Sequence, residues 1–138
     1  MKNGKGSMGE YGYGGTLVFE GEYLNGEKNG KGKEYNYKGK LVFEGEYLNG
    51  KKNGKGKEYY DDKLIFEGEY LYGYKIKGKQ YLKEKLEFEG EYLNGKKNGK
   101  GKEYYGGILI FEGEYLNGER WNGKGKEYDY NGKIISQG

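Results

Sequence analysis

Pairs of glutamates two residues apart recur through this 138-residue chain, at Glu20/Glu22, Glu44/Glu46, Glu67/Glu69, Glu89/Glu91 and Glu112/Glu114. Two carboxylates held a few ångströms apart are the equipment of general acid–base catalysis. Here every pair is followed by lysines at a near-constant interval, which predicts a solvated charge ladder rather than an active site repeated in each unit. The chain has no His and no Cys. It therefore lacks an imidazole base for a nucleophile and the usual ligands of zinc and other transition metals. Apart from the tyrosines, the only hydroxyls are Ser7, Thr16 and Ser136. Asp61-Asp62 puts two carboxylates in a turn, without the further oxygen ligands at the spacing a calcium loop needs. The Gly-Lys-Gly-Lys string resembles a phosphate-binding loop in composition alone, because no Ser or Thr and no helix follows it. The residue types point away from catalysis, and no cofactor or metal is expected.

Binding chemistry is better represented. The chain carries 25 basic and 22 acidic residues, a formal net charge of +3. Lysines interleaved with tyrosines suit single-stranded nucleic acid, where phosphates and bases are met in turn. The carboxylates sit within a Debye length (~8 Å) of those lysines, however, and Arg120 is the only arginine, so nucleic acid is not the expected partner. Two lysine groups, Lys51-Lys52 with Lys55 and Lys57, and Lys96-Lys97 with Lys100 and Lys102, fall at equivalent turns. Clusters of about four to eight cations are what an anionic lipid surface attracts.

The elements that would hold these residues follow from an internal repeat, the first thing to seek in such a chain. FEGEY begins at Phe19, Phe43, Phe66, Phe88 and Phe111, and NGKGKEY follows at Asn29, Asn53, Asn98 and Asn122, with a degraded copy ending at Tyr81. This gives a single array over 1–138, with units 19–42, 43–65, 66–87, 88–110 and 111–133 and half-repeats 3–18 and 134–138. Phe19, Gly21 and Tyr23 alternate with Glu20, Glu22 and Leu24, the period of a strand. Asn25-Gly26 and Asn29-Gly30 each supply the positive φ of a tight turn. Each unit is then a β-hairpin, and the chain an all-β, elongated, single-layer antiparallel meander. About eleven strands at ~4.8 Å make a ribbon on the order of 50 Å long.

Aliphatic residues are sparse, while aromatics reach 17% and glycines number 30. Glycine weakens a strand unless a ring lies across its bare backbone. That packing is expected of Phe19, Gly21, Tyr23, Gly30 and Gly32, of Phe43, Gly45 and Tyr47, of Phe66, Gly68 and Tyr70, of Phe88, Gly90 and Tyr92, and of Phe111, Gly113 and Tyr115. On the other face, Glu20 and Glu22 are expected opposite Lys31 and Lys33.

The pattern F-E-G-E-Y-x-N-G-x-x-x-G-x-G resembles the MORN repeat, carried by Phe19, Gly21, Tyr23, Gly26, Gly30 and Gly32 and by their counterparts from Phe43 and Phe88. The resemblance implies stacked hairpins. Extended repeat surfaces suit a non-catalytic scaffold for protein–protein interaction, since each unit adds a similar row of contacts. The pattern's Phe and Tyr in place of Tyr and Trp look closer to bacterial or viral antitoxin-like members. The alternative it suggests is a peripheral module that meets phospholipid headgroups through Lys51, Lys52, Lys55, Lys57, Lys96, Lys97, Lys100 and Lys102. Where the repeat breaks, rings and an arginine stand at loop positions in the manner of interface anchors. Tyr72, Tyr74, Ile76 and Leu82 in unit three, and Arg120 and Trp121 in unit five, are the candidate contacts with a protein partner. Open sheet edges leave a monomer, or a weak end-to-end dimer, as the expected assembly. No apolar run approaches a membrane span and no signal-peptide core stands at the N-terminus, so a cytoplasmic protein, peripheral at a membrane in the lipid reading, is expected.

Overall fold

A computed structural model gives the fold and describes residues 5–137. Twelve strands follow one another: β1 (Lys5–Tyr11), β2 (Leu17–Leu24), β3 (Glu27–Tyr35), β4 (Leu41–Leu48), β5 (Lys51–Tyr60), β6 (Lys63–Leu71), β7 (Tyr74–Leu82), β8 (Lys85–Leu93), β9 (Lys96–Tyr105), β10 (Ile108–Leu116), β11 (Glu119–Tyr128) and β12 (Ile134–Gln137). Two compact units divide the chain, Met1–Tyr74 and Lys75–Gly138. Within each, every strand pairs antiparallel with its neighbour in sequence, as the meander reading requires. The division falls in the repeat whose second strand has lost its Asn-Gly.

Most hairpins close in two residues with both φ positive, among them Asn25-Gly26, Asn49-Gly50, Asp61-Asp62, Tyr72-Gly73, Asn94-Gly95 and Asn117-Gly118. These are type I′ turns, whose twist matches that of the strands they join. The second Asn-Gly of each unit does something else, and the turn expected at Asn29-Gly30 is corrected here. Gly21 pairs with Gly32 and Tyr23 with Lys28, so residues 29–31 together oppose Glu22 in a bulge. Gly30 lies at φ 103°, and a Cβ there would stand 2.4 Å from Oε1 of Glu22. Gly30 therefore makes room for a carboxylate and is not part of a ring's floor.

The bulge has a structural use. Its Asn side chain and the carbonyl before it receive the turn of the following hairpin. The backbone N–H of Tyr72 donates to Oδ1 of Asn53 at 3.0 Å, and the N–H of Gly73 donates to the carbonyl of Lys52 at 2.8 Å. Asn29 and Asn98 receive Asn49 and Asn117 in the same way, at 3.4 and 3.3 Å. In unit three the corresponding residue is Ile76, whose side chain accepts no hydrogen bond. Asn53→Ala is expected to lower stability by about 1 kcal/mol, read as a lower urea midpoint, with the larger effect on protection of the Tyr72 amide in hydrogen exchange.

Within each unit the core is a column of rings on one face of its strands. Phe19, Phe43, Phe66 and Phe88 are at most 2% exposed, and Tyr23, Tyr47, Tyr70, Tyr92 and Tyr115 are buried beside them. They meet edge to face: Phe19 lies 5.8 Å from Tyr23 and 5.4 Å from Tyr47, each at 89°. This is the geometry the ring quadrupole favours. The floor is glycine. A Cβ on Gly32 would stand 2.5 Å from Cζ of Phe19 and 3.0 Å from Cε1 of Tyr47, and one on Gly101 would stand 2.6 Å from Cε1 of Phe88. A row of glycine pairs runs across the strands to carry the rings, including Gly21–Gly32, Gly32–Gly45, Gly56–Gly68, Gly78–Gly90 and Gly113–Gly125.

Candidate functional site

The hairpins sort the polar residues between two faces. On the ring face, the second residue after the turns Asn25-Gly26, Asn49-Gly50, Asn94-Gly95 and Asn117-Gly118 lies over a phenyl ring. The Nζ atoms of Lys28, Lys52 and Lys97 stand 4.2, 4.1 and 4.4 Å from the ring centroids of Phe19, Phe43 and Phe88, and the Arg120 guanidinium stands 4.2 Å from that of Phe111. Each cation roofs a ring whose floor is glycine, so a single sheet buries its core without a second layer. Beside them, the phenols of Tyr47, Tyr70 and Tyr115 donate to Glu34, Glu58 and Glu103 in the preceding strand, and Tyr92 donates to Gln80 at 3.3 Å.

Arg120 adds a fork to Glu103, with Nε and Nη2 at 2.8 and 2.9 Å from its two oxygens. That hydrogen-bonded guanidinium is the main reason the Glu103 carboxyl titrates below the usual range, with the Tyr115 phenol adding to it against the effect of burial. Arg120 is thus engaged in the ring face, with about a third of its side chain still exposed. Trp121 is the residue added to the unit-five bulge, where residues 121–124 oppose Glu114, and its side chain is 46% exposed.

The opposite face carries the glutamate pairs and most lysines. Their expected ladder holds in part. Lys33 stands opposite both Glu20 and Glu44, and Lys57 opposite Glu44 and Glu67. In three of the pairs the second glutamate is taken up otherwise: Glu22, Glu46 and Glu91 accept the backbone N–H of Lys31, Lys55 and Lys100 at 2.7, 2.8 and 2.8 Å, closing the bulge. The first glutamate accepts a phenol. Tyr35, Tyr59, Tyr104 and Tyr128 donate to Glu20, Glu44, Glu89 and Glu112 at 2.5–2.7 Å. These bonds place those tyrosines on the charged face.

The hydrogen bond to Glu20, more than burial, holds the Tyr35 phenol up at about 12. For Tyr59 and Tyr104 burial leads and the glutamate follows, with the same value of about 12. A raised phenol keeps its proton longer folded than unfolded. Its stabilisation is therefore complete below pH ~10 and is lost as pH rises towards 12. Ultraviolet titration is expected to show a class of phenols ionising near pH 12, with stability to urea falling between pH 10 and 12.

The two lysine clusters do not form as expected. Strand alternation sends Lys52 to the ring face, opposite Tyr47, while Lys55 and Lys57 face Glu69 and Glu67 on the other side, with Lys51 opposite Leu48. Lys97 likewise opposes Tyr92, and Lys100 and Lys102 face Glu114 and Glu112, with Lys96 opposite Leu93. Asp61 and Asp62 form a turn and pair with Lys40 at 2.5 and 3.5 Å.

The unit-three candidates separate as well. Tyr72 and Tyr74 flank the Gly73 turn and are exposed, while Leu82 lies at the far end of β7, about 26 Å along the strand from Tyr74. Ile76 lies one residue beyond Lys75, which reaches the Tyr92 ring at 5.9 Å.

One feature was not visible as a site in the sequence. In the first unit, a cavity of ≈ 780 Å³ opens on the charged face, floored by Gly21, Gly32, Gly45 and Gly56 and walled by Glu20, Lys33, Glu44 and Lys57. Tyr11 and Leu17 line one end. Glu44, Glu46 and Leu48 share a side of β4, and Glu67, Glu69 and Leu71 share a side of β6, so the exposed Leu48 and Leu71 border the same face. The signal for it is the leucine that ends each FEGEYL string, an apolar residue on a face otherwise charged.

No curated protein matches the chain. Residues 19–40, 43–64 and 88–107, which hold the regular hairpins with their glycine floor, ring column and bulge, each match the MORN repeat, and the chain is a repeat protein carrying MORN repeats.

Proposed function

We infer that the chain is a non-catalytic scaffold that binds another protein along the charged face of its first unit. The observation that carries this reading is the ≈ 780 Å³ cavity there, with its glycine floor and its alternating Glu and Lys walls. The bare floor lets a partner's backbone approach closely, the apolar border of Leu48 and Leu71 supplies buried area, and the alternating charges fix register more than strength. Tyr72, next to Leu71 and 63% exposed, extends the apolar border. A cation cluster for anionic lipid gets less support, because Lys52 and Lys97 lie on the ring face and Lys55, Lys57, Lys100 and Lys102 stand opposite glutamates.

Affinity capture with the native chain is expected to retain a protein that Leu48→Asp/Leu71→Asp loses and that Leu93→Asp/Leu116→Asp keeps. Equal capture by both variants would remove the first-unit face from the reading. Salt-sensitive sedimentation with phosphatidylserine vesicles, with no protein captured, would replace it by the lipid one.

A further inference from the structure

Two stretches of the chain are identical: residues 43–60 and 88–105 both read FEGEYLNGKKNGKGKEYY. Each holds one Asn-Gly hairpin turn, Asn49-Gly50 in the first and Asn94-Gly95 in the second, with the same residues on both sides. The backbone is alike too, with Asn49 at φ 49° and Asn94 at φ 51°, followed by glycines at 84° and 81°. A difference between these twins must come from the hairpin that precedes each of them.

That hairpin holds the first turn and not the second. The N–H of Asn49 donates to Oδ1 of Asn29 at 3.4 Å, and the N–H of Gly50 donates to the carbonyl of Lys28 at 2.9 Å. Asn117-Gly118 is held in the same way, by Oδ1 of Asn98 at 3.3 Å and the carbonyl of Lys97 at 2.8 Å. Before Asn94-Gly95 the asparagine's place is taken by Ile76, and among the described residues neither N–H of this turn donates to a protein atom. A Cβ on Gly50 would meet Glu27 at 3.6 Å and one on Gly118 would meet Lys96 at 3.9 Å, whereas one on Gly95 would meet nothing within 4 Å. Asn94 and Gly95 are both exposed.

We propose that Asn94 is a self-modification site, which converts to aspartate and isoaspartate much faster than its twin Asn49. The Gly95 nitrogen, its proton taken by a solvent base, attacks Cγ of Asn94. The bond from Cγ to Nδ2 breaks, and Nδ2 leaves as ammonia with a proton from water, closing a five-membered succinimide. A water molecule then opens the ring at either carbonyl. Attack at Cγ frees the Gly95 nitrogen from the side chain and leaves Asp, while attack at the backbone carbonyl leaves the chain running through the side chain as isoaspartate. Nothing is oxidised or reduced. A closed type I′ turn resists the first step, because its fixed dihedrals turn the glycine nitrogen away from Cγ. The reaction therefore goes through the opened turn, and the two hydrogen bonds that keep Asn49 and Asn117 shut are missing at Asn94. Isoaspartate adds a backbone carbon to a two-residue turn that sets the register of β8 on β9. Either product adds a negative charge two residues from Lys96, so the hairpin after the break in the repeat carries a chemical timer.

The twin turns supply their own control. The full-length chain is kept native in mildly alkaline buffer and then digested with trypsin. The tryptic peptides 41–51 and 86–96 are distinguishable, because Val42 in the first corresponds to Glu87 in the second. Asn94 is expected to convert roughly tenfold to thirtyfold faster than Asn49, read as the mass gained from Asn to Asp and the separate elution of the isoaspartyl peptide. In urea the two rates are expected to become equal, since the flanking residues are the same. Asn29→Ala is expected to quicken Asn49 roughly threefold to tenfold and to leave Asn94 unchanged. Equal native rates at the two sites overturn the proposal, as does a difference that survives in urea. So does an Asn29→Ala chain in which Asn49 stays slow, or a native chain whose Asn94 is intact when the unfolded chain has converted.

Discussion

Gly101→Ala is expected to destabilise the chain by about 1–3 kcal/mol, although it adds a single methyl group in a strand. The new Cβ would stand 2.6 and 2.7 Å from two atoms of the Phe88 ring and 2.9 Å from Tyr115. Neither ring can retreat easily. Phe88 is fully buried, roofed by Lys97 and held edge-on between Tyr92 and Tyr115. The measurement is the urea midpoint by tyrosine fluorescence. Gly73→Ala is a useful contrast, since no atom lies within 4 Å of its Cβ and its cost comes from a φ of 91° alone. If Gly101→Ala were neutral, the rings would not be resting on the glycine row.

The second large effect is on the other side of the same contact. Phe88→Ala is expected to cost about 3–5 kcal/mol, enough to unfold the second unit of a marginal protein. The two changes should not add. With the ring gone, the Gly101 Cβ keeps only the Tyr115 contact, from a ring that can now move into the space Phe88 leaves, so the double variant is expected to be little worse than Phe88→Ala alone. A coupling above about 1 kcal/mol in that cycle assigns the cost of Gly101→Ala to the ring, and additive losses would assign it to backbone entropy.

Much of this architecture is legible in the chain. Period-two alternation in FEGEY, the repeated Asn-Gly and the scarcity of aliphatic residues lead to hairpins whose rings lie over glycine, and Phe19 over Gly32 bears this out. The role of the second Asn-Gly is not legible, because a bulge and a turn both ask for positive φ. Only the pairing of Gly21 with Gly32 and Tyr23 with Lys28 distinguishes them. The departure of Lys52 and Lys97 from the other lysines has a simpler reason. Lys52 and Lys55 are three residues apart, an odd number that puts them on opposite faces whatever their spacing suggests. Arg120 and Trp121 look alike as departures from the repeat, yet the first closes over Phe111 and grips Glu103 while the second widens a bulge. The cavity in the first unit was unreadable because its walls are the same Glu and Lys that recur in every unit.

The bulge asparagine has a consequence for how such arrays grow by duplication. Because Asn53 holds the turn at Tyr72-Gly73, the latch for each hairpin is encoded one hairpin upstream. A copied unit inserted anywhere brings a socket for its successor but borrows its own from its predecessor. The fitness of an insertion is then set by the residue on its N-terminal side: downstream of Asn29, Asn53 or Asn98 a newcomer clicks into place, and downstream of Ile76 it does not.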